Sequence, residues 1–281
     1  MVSRPAICMY AFVSIAAVFA IAATPARAQF KPRPLNDPAT GETYHIEGFA
    51  GLWWPTADIS ITSGGSGSLT GIIGTQIDFK NDLGLTDQRF PEVRLVLRPA
   101  KSHKFRFQYI PISYTQSATL MRDIKFNGQL YRVNLPVNSS LDWGAYRFSY
   151  EYDFIVKNRG FGGFILDAKY TDVQASLATP VANLNEVARA QAPIPALGGI
   201  VRVYVVPNIS ITGEVTGFKL PKVSDRYDGH YADFDIYGTV NVTNNVGAQF
   251  GYRLLDVGYL VKNDTGSLTL KGLYFGIVAR Y

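Results

Sequence analysis

The feature that most restricts how this chain can fold is a strict two-residue alternation of side-chain character. Across 146–154 the even positions are Tyr146, Phe148, Tyr150, Tyr152 and Phe154, while the odd ones are Arg147, Ser149, Glu151 and Asp153. Successive side chains of an extended strand point to opposite faces, so this stretch carries one aromatic face and one charged face. The pattern recurs at 91–98, where Val93, Leu95 and Leu97 oppose Glu92, Arg94 and Arg98. At 231–242 Phe234, Ile236, Val240 and Val242 oppose Asp233, Asp235, Thr239 and Asn241. At 273–281 Leu273, Phe275, Ile277, Ala279 and Tyr281 oppose Tyr274, Gly276 and Arg280. A one-residue slip would swap the two faces, so register is fixed by whatever the apolar face meets.

From residue 43 onward the alternating segments are separated by clusters of Asn, Gly, Pro and Asp, the usual strand punctuation. Ten strands are read, at about 44–54, 91–98, 103–115, 141–155, 161–176, 197–206, 208–219, 231–242, 246–261 and 266–281. Only VANLNEVARAQ (181–191) has a helical pattern, and it is short and lies between prolines. After residue 28 no apolar run approaches the ~18 residues that a spanning helix needs. With 47% apolar residues simple disorder is excluded, and the 17% charged fraction lies below the roughly one quarter of a soluble domain.

Alternation alone admits two architectures. A soluble sandwich or lipocalin-like barrel turns the apolar face inward, whereas a transmembrane barrel turns it toward lipid. Four features favour lipid. Connections after the second, fourth, sixth and eighth strands are short (99–102, 156–160, Pro207-Asn208 and 243–245), and four of the other five are long, the layout of an outer-membrane barrel. Tyr44 and Trp54 fall ten residues apart on the apolar face, a span that projects to about 25 Å at barrel tilt, the height of an aromatic-bounded band. The even strand count puts both termini at one end. The chain also ends on an aromatic residue in strand register, Tyr281. In hydrocarbon no water satisfies an open strand edge, so such a sheet must close. The expected fold is therefore all-β: a closed antiparallel transmembrane β-barrel of about ten strands, with eight to twelve as the range.

Residues 1–28 combine Arg4, an apolar stretch from Ala6 to Ala23 and the small-x-small ending Ala26-Arg27-Ala28. This is the layout of a cleaved export signal, with an uncleaved anchor as the alternative. Residues 29–42 then form a periplasmic N-terminal segment, and 43–281 the barrel with its extracellular loops. The only cysteine, Cys8, lies in the leader, so an exported domain of this size must be held by cooperative β-structure rather than by disulfides. Lys and Arg number 27 against 22 Asp and Glu, and removing Arg4 and Arg27 lowers the net charge from +5 to +3. That excess is too small and scattered for a nucleic-acid partner.

The ending Tyr274-x-Gly276-x-x-Ala279-x-Tyr281 resembles the carboxy-terminal signal of bacterial outer-membrane β-barrel proteins. The resemblance implies export to the outer membrane of a Gram-negative-type bacterium and recognition of Tyr281 by the barrel-assembly machinery. It also implies contact with the lipid bilayer and lipopolysaccharide. It is uninformative about activity.

With the apolar face outward, the lumen receives Arg94, Arg98, Lys104, Arg106, Arg147, Lys169, Arg202, Arg253 and Arg280 against Glu47, Glu92, Glu151, Asp153, Asp167, Glu214, Asp233 and Asp235, nine bases to eight acids. Barrels of about eight strands are filled by their own side chains, and open aqueous channels belong to about sixteen. The expected function is a surface or structural barrel with a paired polar plug; the alternative is a narrow, weakly anion-preferring pore for small solutes. Asn127-Gly128 is a two-residue hairpin signal, read as the tip of a ribbon continuing the third and fourth strands. The loop 55–90 has a Gly/Ser-rich tip at 64–68 without the Gly-Lys-Ser/Thr of a phosphate loop, and Thr75–Phe79 reads as a short strand.

Some ten-stranded barrels are omptin-type proteases with an Asp–His pair and two further aspartates. Asp228-Gly229-His230 has a loosely similar spacing, with Asp78 and Asp82 as the only nearby candidates for the second pair. An enzyme of that kind, or a lipid-modifying one, is the minor alternative. His45 and His103 fall at the periplasmic side, away from a surface lipid substrate. No catalytic set, cofactor or metal site is expected.

Overall fold

The computed structural model describes residues 37–64, 74–181, 184–224, 227–261 and 264–281. The leader 1–28 and most of the Gly/Ser tip therefore lie outside the described residues. Ten long strands run in chain order: β1 (Ile46–Thr62), β2 (Phe90–Ala100), β3 (His103–Thr119), β4 (Pro136–Lys157), β5 (Gly160–Thr179), β6 (Leu184–Val206), β7 (Ile209–Ser224), β8 (Tyr227–Asn241), β9 (Val246–Val261) and β10 (Asp264–Arg280). Each is antiparallel to its chain neighbours, and β10 pairs with β1 from Glu47↔Arg280 to Thr62↔Thr265, which closes the sheet. The chain is a closed ten-stranded antiparallel barrel.

Its orientation is the one a membrane requires. Phe148, Ile236, Phe275 and Ile277 lie on the outer surface, exposed by 43–64%, while Arg147 and Glu151 are buried inside. Three tyrosines form a row across β3, β4 and β5 toward the loop end: Tyr109 stacks on Tyr146 at 4.7 Å, and Tyr146 lies 6.5 Å from Tyr170.

Above the level of that row the alternation inverts. On β4, Arg147 and Ser149 point inward below Tyr146, whereas Leu141 and Trp143 are the buried residues above it and Asp142 is exposed. On β3 the inward series changes from Lys104 and Gln108 to Ile110, Ile112 and Tyr114, with Ser113 and Thr115 exposed. On β10, Leu273 and Phe275 face out, but from Lys271 toward the loop end the outward residues are Lys271, Thr269 and Ser267, and Leu270 is buried. The cause is the surroundings: hydrocarbon demands apolar outward side chains, and water beyond it returns the apolar set to the interior.

Three expectations are corrected. Residues 184–191 are strand, not helix, because β5 offers them a continuous ladder from Thr179↔Leu184 to Asp172↔Gln191. Tertiary pairing overrides the local pattern. Pro193 and Pro195 are tolerated because β6 pairs with β7 only from Leu197 onward, which leaves an edge beside them. The Asn127-Gly128 turn forms with φ of 49° and 83°, as a type I′ hairpin needs. However, its strands Ile124–Phe126 and Gln129–Tyr131 make a separate two-stranded sheet rather than extending β3 and β4. Lastly, Tyr44 does not bound the outer band. β1 begins at Ile46, and Tyr44 is buried with the Arg98 guanidinium 5.4 Å and that of Arg280 5.7 Å from its ring.

Candidate functional site

The barrel interior is built in two layers. The layer toward the end where β1 begins and β10 ends is charged. Lys104 Nζ donates to Glu151 Oε1 at 2.6 Å and lies 2.8 Å from Asp153 Oδ2. Arg106 bridges Glu151 at 3.1 Å and Glu214 at 2.8 Å, and Arg147 pairs with Asp167 at 3.0 Å and also with Glu214. Lys169 contacts Asp233 at 3.1 Å and Asp167 at 3.3 Å. Arg253 joins Glu92 at 3.0 Å and Asp235 at 2.7 Å; Arg94 lies 3.1 Å from Glu92, and Arg280 donates to Glu47 at 2.5 Å. Rings cover the cations that face them: Lys104 lies 3.4 Å from the Phe161 centroid, and Arg94 4.0 Å from that of Phe49. A buried charge is tolerable only with opposite charges around it, and this mesh draws them from several strands at once.

One member lies outside the strands. Glu42, in the segment before β1, accepts from Arg202 Nη1 at 2.8 Å and from Tyr204 Oη at 2.7 Å, and its other oxygen is 3.7 Å from Arg98. Its backbone carbonyl accepts from Arg98 as well. The segment crosses the barrel mouth: Ala39 N–H donates to the Asn158 carbonyl, Thr40 N–H to that of Pro207, and Asn241 Nδ2 to the Thr40 carbonyl. Burial opposes ionisation of Glu42, but the Arg202 charge and the hydrogen bonds from Arg202 and Tyr204 outweigh it and hold the carboxyl below its usual range. Adding Glu42 to the eight inward acids gives nine, equal to the nine inward bases. Sequence periodicity could not find this residue, because it precedes the first strand; the nine-to-eight imbalance was the only trace of it.

The layer toward the loops is apolar, contrary to a polar lumen throughout. Ile59, Ile112, Leu141 and Leu270 are each at most 2% exposed there. Two loop elements close over them. Ile77, Phe79 and Leu83 from the first loop, and Ile124, Phe126 and Tyr131 from the hairpin, join the same buried cluster. The two elements are tied together by Thr75 N–H donating to the Lys125 carbonyl at 2.9 Å and by Arg122 donating to Asp82 at 2.6 and 2.8 Å. The hydrogen bond from Arg122 holds the Asp82 carboxyl below its usual range. Between the layers a cavity of about 30 Å³, bordered by Trp143, Arg147 and Asp233, has room for a water molecule.

His230 faces outward on β8 with Nε2 3.0 Å from Asp256, whose second oxygen accepts from Thr269. Asp82 is engaged with Arg122, and Asp78 caps its own turn by accepting from the N–H groups of Lys80 and Asn81. His103 contacts Tyr150 Oη at 2.7 Å and His45 the Arg98 carbonyl at 3.3 Å, both at the mouth where β1 begins and β10 ends. At the chain end Tyr274 is fully buried with its hydroxyl donating to Asp235, Gly276 faces inward and Tyr281 is 78% exposed. Among the described residues no group of three or more His, Cys, Asp or Glu could hold a metal ion.

A closed antiparallel barrel with an apolar outer band and a buried, charge-paired lumen has the fold of bacterial outer-membrane β-barrels. Solved structures similar to it are of that class. The outer membrane protease OmpT from Escherichia coli superposes with a TM-score of 0.55 at 7% identity, covering 88% of this chain and 100% of that one. Ail, the attachment invasion locus protein of Yersinia pestis, gives 0.36 at 8% identity over 83% of this chain and 99% of its own. The toluene transporter TodX of Pseudomonas putida gives 0.30 at 8% identity over 88% and 92%. No family model matches the sequence, and no curated protein sequence matches it.

Proposed function

We propose that this protein is a sealed outer-membrane barrel that acts as a structural or surface-interaction protein, presenting its loop end to the outside. The leader 1–28 directs export and is cleaved, and the segment at 37–45 lies on the periplasmic side. The assembly signal is Tyr274, Gly276, Ala279 and Tyr281, and the surroundings are phospholipid and lipopolysaccharide. The observation that carries this reading is closure of the interior at both ends: Glu42 completes the charge-paired layer at one mouth, and the first loop with the hairpin fills the other. A channel would need a continuous polar path, and the apolar layer interrupts it.

Likeness to OmpT supports the fold and not a proteolytic role. In OmpT-like proteolysis an Asp–His pair would act with other aspartates over a substrate, whereas His230 here is held by Asp256 on the outer face and Asp82 by Arg122. The refolded protein in planar bilayers is expected to be electrically silent; large, steady openings would refute the sealed-barrel reading. Floatation with outer-membrane fractions and heat-modifiable gel mobility test the location.

A further inference from the structure

The outer surface of the barrel carries a cavity of about 600 Å³, in the wall formed by β5, β6 and β7. Its floor is made by outward positions of glycine, Gly162, Gly199 and Gly213, and its sides by Ile155, Val215 and Phe234. Register explains the hollow. Val201 lies between Gly162 on β5 and Gly213 on β7, and Gly199 between Phe164 and Val215, so small and large side chains alternate across three strands.

These glycines are not demanded by their neighbours. A Cβ at Gly213 would meet nothing within 4 Å, and at Gly162 and Gly199 only ordinary contacts at 3.6–3.9 Å. The inward glycines of the same strands differ: a Cβ at Gly198 would collide with the Val215 carbonyl, and one at Gly163 with the Asp153 side chain and the Tyr152 carbonyl. The hollow is therefore open space on an apolar surface, and its volume falls within the ~300–1,000 Å³ of small-ligand pockets. One end is cationic. Lys157 and Arg159, at the β4–β5 turn beside the termini, border it. Lys157 is exposed and makes no ion pair with any described residue, whereas Arg159 Nη2 donates to the Val205 carbonyl at 3.0 Å.

An apolar trough that faces hydrocarbon and ends at two bases near the membrane surface matches one chemistry, that of an anionic phospholipid. We propose that this groove is a binding site for an anionic phospholipid of the periplasmic leaflet, with an acyl chain over Gly162, Gly199 and Gly213 and the phosphate at Lys157 and Arg159. This rests on the reading of the apolar band as lipid-facing.

The test uses full-length protein refolded into vesicles, with folding checked by gel mobility. Tryptophan is placed at the groove wall (Phe234→Trp) or on β10 outside it (Ile277→Trp), and the signal of the three native tryptophans is subtracted. Quenching by dibrominated-chain phosphatidylglycerol is compared with quenching by phosphatidylcholine carrying the same chains. The anionic lipid is expected to be preferred about fivefold at Phe234→Trp, the worth of one nearby base, and equally with the other lipid at Ile277→Trp. Lys157→Gln should lower the groove preference severalfold, and Gly199→Leu with Gly213→Leu should abolish it. Equal preference at the two positions, or a preference that survives both changes, overturns the proposal. If neither tryptophan is quenched by either lipid, the lipid-facing band itself is wrong, a distinct result.

Discussion

The carboxyl of Glu42 is the point at which the closed interior can be probed with one change. Replacing it by Gln keeps the volume and removes the charge that neutralises Arg202, whose side chain is 3% exposed. Two hydrogen bonds, at 2.8 and 2.7 Å, and a second cation, Arg98 at 3.7 Å, are affected. Deleting one partner of a buried pair costs ~3–5 kcal/mol, because the other charge is left without compensation. The Glu42 side chain keeps 19% of its exposure, so water reaches the site and the lower end, about 3 kcal/mol, applies. At a urea dependence of ~3 kcal/mol per molar, the unfolding midpoint of the refolded barrel should fall by ~1 M. Arg202→Met should cost a similar amount, and the double variant less than the sum of the two, because the pair is lost only once.

The same pair gives a pH dependence with a definite sign. The folded carboxyl of Glu42 titrates below its unfolded range, so its contribution is complete above the ordinary glutamate pKa of ~4.3 and is lost as pH falls through the folded value. The wild-type midpoint should therefore decline in acid more steeply than that of Glu42→Gln. A shift under about 0.2 M for Glu42→Gln at neutral pH, with parallel acid profiles, would refute the idea that this residue completes the interior.

The pair between Asp82 and the half-exposed Arg122 provides a contrast: Arg122→Ala should cost less than ~1 kcal/mol, since an arginine open to water gains little by pairing, and a loss near 3 kcal/mol would contradict the burial argument. Phe126→Ala, at a side chain 2% exposed, should loosen the cap by ~3–5 kcal/mol and speed trypsin cleavage at the already exposed Lys125 and Arg132 in intact vesicles; unchanged cleavage would mean the hairpin is not held by its apolar side. Ile277→Arg, outward and 64% exposed, should cost ~2–4 kcal/mol of stability in lipid, whereas Thr269→Arg, beyond the inversion on the same strand, should cost ~0–1; equal costs would misplace the boundary of the band.

Most of the barrel was legible because closure and alternation are the same constraint expressed twice. The aromatic face of 146–154 and the charged face of 91–98 specified in and out, and short turns such as Pro207-Asn208 set the ends. Three things were not legible, each for a physical reason. Strands that continue into water lose the hydrocarbon pattern, so 184–191 presented a false helical period until β5 supplied its ladder. The Asn127-Gly128 signal fixes a turn but not where the hairpin docks, which depends on the distant Thr75 amide, donating to Lys125, and the Ser63 carbonyl, accepting from Asn127. Glu42 lies where no period exists, and only charge balance across the whole interior points to it.

The two-layer interior follows from what each height of the wall must exclude. Where hydrocarbon surrounds the barrel, a strand apolar on both faces would have no preferred register, since a one-residue slip would cost nothing outside and nothing inside. Placing Arg147, Glu151 and Asp167 inward makes every slip expose a charge to lipid, at ~2–4 kcal/mol for a base at mid-membrane. Those charges are therefore better understood as specifying register than as adding stability, because buried ion pairs barely recover their desolvation. Where water surrounds the wall, polar outward residues already penalise a slip, and the interior is free to use Leu141, Trp143 and Leu270 for cohesion. The cap then needs only apolar side chains to seat on them, and Phe79, Ile124 and Phe126 supply these.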